Sequence, residues 1–410
     1  MRFVHAADLH LDSPLRGLCR LGDAETARTL RAASRGALEN LVRLVIAEKA
    51  PLLVLAGDIY DGDWRDYDTG RFFTEQMDRL NDEQVRVVMA SGNHDAESEI
   101  TRSLLLPPNV SVLDVHEPES VEFEDLGVVV HGQGFARRAV LANLASAFPD
   151  RRRGLVNVGV LHCTVDGRDG HDPYAPCSLA ELLAKGYDYF ALGHIHTHAV
   201  LAEGEHTVAY SGNLQGRTPR ETGPKGAVLV DVAAGEGAVA EFRELDVARW
   251  EHLRVPVAEC AGLHESLDAV EREFLAAATA AQDRLVVVRV ELTGRTPAAA
   301  DLADSDRVRA EIGRIADRTG VTLERVRVRV QPPTQLLSVD DDLRDAIGQA
   351  VVTMSGDLSQ LRAGLAVLSQ EVGLQLREAG LLSLSDRDTL ADLVTRAASS
   401  LECQLTGGTR

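Results

Sequence analysis

Leu52-Leu53-Val54-Leu55-Ala56-Gly57-Asp58-Ile59-Tyr60-Asp61 is the stretch on which the fold turns. Its first five residues are apolar without alternation, the pattern of a strand buried on both faces. Gly57 then lets the backbone bend sharply, and a carboxylate follows at once. The same grammar recurs four times. Arg2–Ala7 runs into Asp8-Leu9-His10, and Val85–Ala90 into Gly92-Asn93-His94-Asp95. Val156–Leu161 ends at His162, and Tyr189–Leu192 at Gly193-His194-Ile195-His196. Side chains presented in this way share one edge of a sheet, where open α/β sheets hold their ligands.

The residue types at those strand ends belong to one chemistry. Two divalent ions about 3.5–4 Å apart require oxygen and imidazole ligands and one carboxylate that bridges. Asp58 is the natural bridge. Asp8, His10 and His196 complete one ion's protein shell, and Asn93, His162 and His194 the other's. With no thiolate among them, the set suits Mn²⁺, with Fe²⁺ or Zn²⁺ as alternatives, and argues against a structural zinc. Such a pair would activate water for in-line attack on phosphorus. His94 stands beside a ligand and is placed to protonate the leaving oxygen, with Asp61 orienting its imidazole. His5 falls inside the first strand, and it, His131, His198 and His206 read as structural.

Around these motifs the chain alternates strand and helix, then turns to paired strands. Helices are expected at Ala24–Ala50 and Tyr67–Leu80. Further strands are expected at Val110–Leu113, Val121–Phe123, Val128–His131, Val208–Tyr210 and Ala227–Val232, with turns at Asp125-Leu126-Gly127 and Gly235-Glu236-Gly237. This predicts two packed sheets flanked by helices over residues 1–245. A second, α+β unit spans 246–333: strand Leu253–Val257, helix Leu263–Ala281, strand Leu285–Leu292, helix Asp304–Thr319 and strand Leu323–Val330. In its last strand Arg325, Arg327 and Arg329 alternate with valines, giving a basic face that either is solvated or meets a DNA backbone. After Pro332-Pro333, residues 334–410 read as helices, among them Asp340–Val352, Leu358–Leu368 and Asp386–Leu401. Leu358, Leu361 and Leu365 recur there at helical spacing, so the segment is either a partner-docking element or a helical cap.

At 410 residues the chain is long enough for two or three domains. No apolar run approaches the roughly 18 residues that span a bilayer, and Met1–His10 does not have the regions of a secretory leader. The 5 cysteines form no CxxC pair, which fits free thiols in a reducing cytoplasm; Cys163 reads as a small apolar filler. A net charge of −20 argues against broad adhesion to nucleic acid, although bound cations can supply positive charge locally.

The five motifs together resemble the calcineurin-like metallophosphoesterases, whose pattern is D-x-H, G-D, G-N-H-[DE], H and G-H-x-H. The resemblance covers residues 1 to about 245. It implies an α/β fold, a four-layer αββα sandwich, and supports the ligand roles above and the Asp61–His94 dyad. A narrower likeness is to SbcD-type nuclease subunits and their YhaO-like relatives. It is carried by Asp8-Leu9-His10-Leu11-Asp12-Ser13-Pro14, by Tyr210–Arg217 and by Arg220–Gly226. In that family a small capping domain follows the sandwich, and the subunit works with an SbcC- or YhaN-like coiled-coil ATPase. The likeness therefore implies a DNA nuclease of double-strand-break repair, cytoplasmic and without a membrane anchor, with a homodimer as one form. Arg217, Arg220 and Lys225 would contact phosphate, unless a loop salt bridge to Glu221 occupies them. The alternative is a phosphodiesterase or phosphatase acting on a small nucleotide or phosphoprotein. An inactive scaffold would require a missing ligand or a missing His94, and none is missing.

Overall fold

The computed structural model describes residues 1–13, 24–61, 67–97, 105–167, 172–333, 341–359, 363 and 390–398. The first strands are β1 (Arg2–Ala6), β2 (Leu52–Ala56), β3 (Arg86–Ala90) and β4 (Val110–Val112). Next come β5 (Glu119–Phe123), β6 (Val128–Gly132), β7 (Val156–His162) and β8 (Tyr189–Gly193). They are followed by β9 (Ala199–Ala202), β10 (Thr207–Tyr210), β11 (Gly226–Ala233) and β12 (Gly237–Glu244). Helices α1 (Ala24–Ala47), α2 (Tyr67–Asp82) and α3 (Leu179–Ala184) interleave with them.

These strands make two six-stranded sheets, ordered β12-β11-β1-β2-β3-β4 and β5-β6-β7-β8-β10-β9. β1 to β4 pair in parallel, as do β6, β7, β8 and β10, while β11, β12, β5 and β9 pair antiparallel. Along β2 the side chains alternate between two cores, as a period of two dictates. Leu52, Val54 and Ala56 join Val88, Val130, Val158 and Tyr189 in the core between the sheets. Leu53 and Leu55 face outward, against Leu38, Leu41 and Val45 of α1 and Phe73 and Met77 of α2. On the opposite outer face Phe190, Leu192 and Val208 pack with Leu182 of α3. The result is the expected four-layer αββα sandwich.

One expectation needs correcting. The motifs do not share the edge of a single sheet: three end strands of the first sheet, and two end strands of the second. Sequence reading also passes over β9, β12 and α3. β9 and β12 are edge strands; β9 is only 4 residues long and half-buried throughout, and Val239 of β12 is 72% exposed. α3 is too short to display a helical period, although Ser178 and Glu181 close a capping box at its start.

Two compact units are distinguished. The first is Met1–Leu253 with Phe274–Arg289 and Ala316–Arg325; the second is Arg254–Glu273, Val290–Ile315 and Val326–Arg410. A three-stranded sheet orders β13 (Ala248–Pro256), β14 (Leu285–Arg295) and β15 (Thr322–Gln331), accompanied by α4 (Leu263–Ala281) and α5 (Ser305–Thr319). Two of the three arginines on this face of β15 lie near carboxylates: Arg329 pairs with Glu291 at 2.9 Å, and Arg325 lies 3.9 Å from Glu324. That favours the solvated reading of the basic face over contact with DNA. α6 (Asp341–Gly356) follows. Beyond it Leu358 is not part of an open stripe, since it packs against Leu390 and Val394. Leu361 and Leu365 lie outside the described residues. Among the described residues no helix is long and apolar enough to cross a membrane.

His5, inside β1, is fully buried and bonds the Tyr189 hydroxyl at 3.0 Å. Burial holds its pKa at about 3, well below the ordinary value. The unfolded chain therefore binds this proton first, so the stabilisation from a neutral His5 is complete above about pH 6.5 and is lost as the pH falls towards 3. The loss approaches 1.4 kcal/mol per pH unit for this single ring. Denaturant midpoints measured between pH 7 and 4 should fall less steeply in His5→Gln than in wild type, whatever the variant's stability at neutral pH.

Candidate metal centre

The strand ends are bent where the chemistry sits. Asp8, His10, Asp58 and His194 have φ of 52°, 44°, 50° and 94°, a region that costs a non-glycine residue of the order of 1–3 kcal/mol. Neighbouring backbone holds them there: the amides of Asp8 and His10 donate to the carbonyls of Gly57 and Asp58, each at 3.0 Å. Asp95 ties two of the loops together. Its carboxylate accepts from the amides of Ile59 (3.0 Å), Tyr60 (3.0 Å) and Gly92 (2.9 Å). Burial, reinforced by the Asp58 charge, raises its pKa to about 6. Close approach also demands glycine: a Cβ on Gly92 would run into the Asp58 carboxylate, and one on Gly193 into the Ala56 carbonyl.

Held this way, the side chains meet. The Asp8 carboxylate accepts from the His194 amide at 3.0 and 3.1 Å, and one Asp58 oxygen accepts from the His94 amide at 2.9 Å. The other Asp58 oxygen is 3.4 Å from His162 Nε2 and 3.7 Å from His10 Nε2. His162 Nε2 also lies 2.9 Å from Asn93 Oδ1. The sets Asp8–His10–His196, Asp8–Asp58–His162 and His10–Asp58–His94 each bring their ligand atoms within 4.8 Å of one another. Asn93 and His194 flank the second, with the His194 ring 5.1 Å from that of His162.

Hydrogen bonding on the far side of the rings supports a cation centre. His162 Nδ1 lies 3.0 Å from the Ala56 carbonyl, which takes its proton and leaves Nε2 facing Asp58 and Asn93. His194 Nε2 donates to the Asp172 carbonyl at 2.9 Å, leaving Nδ1 as the basic nitrogen. His196 Nδ1 lies 2.9 Å from Glu221, and its Nε2 is 3.2 Å from His10 Nε2. Two imidazole lone pairs set head to head repel unless a proton or a cation lies between them. Donor atoms on adjacent vertices around an ion with bonds of about 2.1 Å stand about 3 Å apart, so this donor set fits divalent cations. Burial first, then the charge on Arg217, lowers His10 to about 3 and keeps it in the neutral form that ligates. Asp58 is held well below the carboxylate range: burial opposes its charge, but His162 outweighs that.

His94 is held by a second carboxylate. Its Nδ1 is 3.1 Å from Asp61 Oδ1, and Ser13 Oγ donates to the other Asp61 oxygen at 2.5 Å. His94 lines an open cleft of about 350 Å³ together with Asp58, Asn93, His194, His196, Arg138, Asp172 and Tyr174. The three basic residues expected at phosphate divide. Arg217 approaches the dyad, with its guanidinium 3.5 Å from both Asp61 and Glu221. Arg220 is exposed on the following turn. Lys225 is 5% exposed and donates to the His196 carbonyl at 2.9 Å, so it braces the loop instead of reaching a substrate. Cys163 is apolar filling as expected, packed against Cys177 with sulfurs 3.9 Å apart.

Sequence reading misses five residues of this centre, Arg138 on the cleft wall among them. Asp95 is visible in its motif but carries no expected role there, and Glu221 is visible only as an ion-pair partner. Asp172 and Tyr174 lie on a loop with no motif, and nothing in the sequence points to them.

Two families match the chain in sequence. Residues 1–198 match the calcineurin-like phosphoesterase family, and residues 250–331 match the middle domain of metallophosphoesterase YhaO. The YhaO protein of Bacillus subtilis strain 168, described as an uncharacterized metallophosphoesterase, is 32% identical over 300 residues, 72% of each chain. Among solved structures, a Thermus thermophilus protein is 11% identical with a TM-score of 0.34, covering 59% of this chain and 98% of its own. A dimetal phosphatase from Danio rerio is 12% identical with a TM-score of 0.35, covering 58% and 98%.

The close approach of Gly92 to Asp58 makes a sharp test. Gly92→Ala should drive the Asp58 carboxylate out of place, lower stability by about 1–3 kcal/mol through overpacking, and reduce bound divalent metal well below wild type. Metal analysis of the folded variant after dialysis checks it; full metal content would mean that Asp58 does not take part in binding.

Proposed function

We propose that this chain, which belongs to the calcineurin-like metallophosphoesterases of the YhaO type, hydrolyses DNA phosphodiesters as the nuclease of a break-repair complex. The observation that carries the phosphodiester chemistry is the convergence of Asp8, His10, Asp58, Asn93, His162, His194 and His196, with the Asp61–His94 pair beside them on one cleft. Two divalent ions bound there, manganese by preference, would neutralise phosphoryl charge and acidify the attacking water. Asp58 would be shared between them.

The chain's own groups do the rest. Asp61 holds the His94 ring by Nδ1. Burial disfavours a charged His94, but the bond to Asp61 and the charges of Asp58 and Asp61 together outweigh it and raise the pKa above its ordinary value. A protonated His94 at the cleft can hand its proton to the leaving oxygen. Arg217 offers a fork of donors to a phosphate. Arg138 and Tyr174 line the same cleft with a cation and a ring face, the pair of features by which proteins grip single strands. The likeness to SbcD-type subunits supports DNA as substrate and an SbcC-like coiled-coil ATPase as partner. It also supports action in the cytoplasm, with homodimerisation as one form.

Purified protein should cut end-labelled duplex or single-stranded DNA with added Mn²⁺ and stop when EDTA is added. Turnover of cyclic nucleotides with DNA left intact would reverse the choice of substrate. His94→Ala should retain its metal while kcat falls by about 10²–10⁴, the range of general acid catalysis. Loss of metal in that variant would make His94 a ligand.

A further inference from the structure

Glu221 lies on the stretch between β10 and β11, outside the five strand-end motifs, yet it touches the centre twice. Oε1 is 2.9 Å from His196 Nδ1, and Oε2 accepts from the Arg217 amide at 2.6 Å and from Asn213 Nδ2 at 3.1 Å. The Arg217 guanidinium is farther off, 3.5 Å from Oε1, and 3.4 Å from His196 Nδ1. These distances decide the tautomer. A nitrogen with a carboxylate oxygen at 2.9 Å and a guanidinium at 3.4 Å carries the proton and donates a hydrogen bond to the carboxylate. His196 then presents the Nε2 lone pair, the atom 3.2 Å from His10 Nε2. Glu221 is itself held by an amide and by Asn213, whose position beside β1 is set by the bridge from Ala7.

We infer that Glu221 is a positioning residue of the metal centre. Its carboxylate selects and orients the His196 tautomer for an ion, and through its other oxygen it fixes the backbone that carries Arg217. One side chain therefore sets both a ligand and the cation meant for phosphate. A carboxylate behind a ligating imidazole also raises the ring's basicity, and loss of such a partner weakens binding by about 10–100-fold. The competing account is simpler: Glu221 neutralises Arg217 and has nothing to do with metal. The inference rests on the metal-centre part of the proposed function and not on the choice of DNA.

Three full-length proteins separate these accounts: Glu221→Ala, Glu221→Gln and Arg217→Ala. Each is titrated with Mn²⁺ by calorimetry and by electron paramagnetic resonance, and assayed on bis(p-nitrophenyl) phosphate, which is indifferent to DNA specificity. Glu221→Ala should bind one Mn²⁺ about 10–100-fold more weakly and leave the other near wild type, since Asn93, His162 and His194 are untouched. Glu221→Gln should recover part of that loss, because its amide oxygen can take the Nδ1 proton. Arg217→Ala should bind both ions as wild type does and raise KM instead. If Glu221→Ala matches Arg217→Ala in both measurements, or binds both ions with wild-type affinity, the inference is overturned and Glu221 is only a salt-bridge partner. Should Glu221→Ala not yield folded protein, Glu221→Gln decides by the same comparison. If wild type binds no Mn²⁺, the metal centre itself fails and this inference with it.

Discussion

The Asp58 carboxylate is the interaction on which everything else in the first unit leans. It sits within 3.7 Å of His10 and His162, accepts the His94 amide and is almost wholly buried. A buried carboxylate surrounded by imidazoles requires each of those rings to be placed independently, and they come from strands of two different sheets. The sandwich answers that requirement. Two mixed sheets stacked through a shared apolar core bring the carboxyl ends of β1, β2 and β3 opposite those of β7 and β8. A single sheet would offer the same residue types in a row, without a second wall to close the ion's shell.

Placement at that accuracy is strained, and the strain is local. Four of the proposed ligands sit in left-handed backbone although none is glycine. Short amide-to-carbonyl bonds between the β1 and β2 loops, and the Asp95 carboxylate between the β2 and β3 loops, supply the compensation. Neighbouring glycines contribute by having no side chain: at Gly92 and Gly193 the vacant position is filled by Asp58 and by Ala56. Strain of this kind survives only where the surroundings over-determine it, and a core with Val54, Ala56, Val88 and Val160 at zero exposure beneath the loops meets that condition.

Much of this is legible without the structure. β2 needs only Leu52–Ala56 and the glycine after it, and the seven ligand types with their strand-end placement follow from the motifs. What sequence does not convey depends on contacts between distant segments. Whether Lys225 faces a substrate or a carbonyl is decided by how its loop folds back on His196, and spacing says nothing about that. The same holds for Leu358, whose helical spacing with Leu361 and Leu365 suggests an open stripe, whereas Leu390 and Val394 cover it. The edge strands β9 and β12 escape because their pairing rests on a neighbour's backbone and not on their own apolar pattern.

A net charge of −20 and an anionic substrate set a further constraint on how the centre works. At physiological ionic strength exposed charges are screened beyond about 8 Å, so the overall acidity weakens long-range attraction without governing contact within the cleft. There the balance is local: Arg138 lines the wall, Arg217 approaches Asp61, and the buried carboxylates and imidazoles can hold two divalent ions. With the chain net negative, the positive charge that a phosphate meets is that of the cleft: its arginines and the ions it can hold. A phosphoesterase built this way gains little from long-range attraction of an anionic substrate and most from contact at the reacting phosphate.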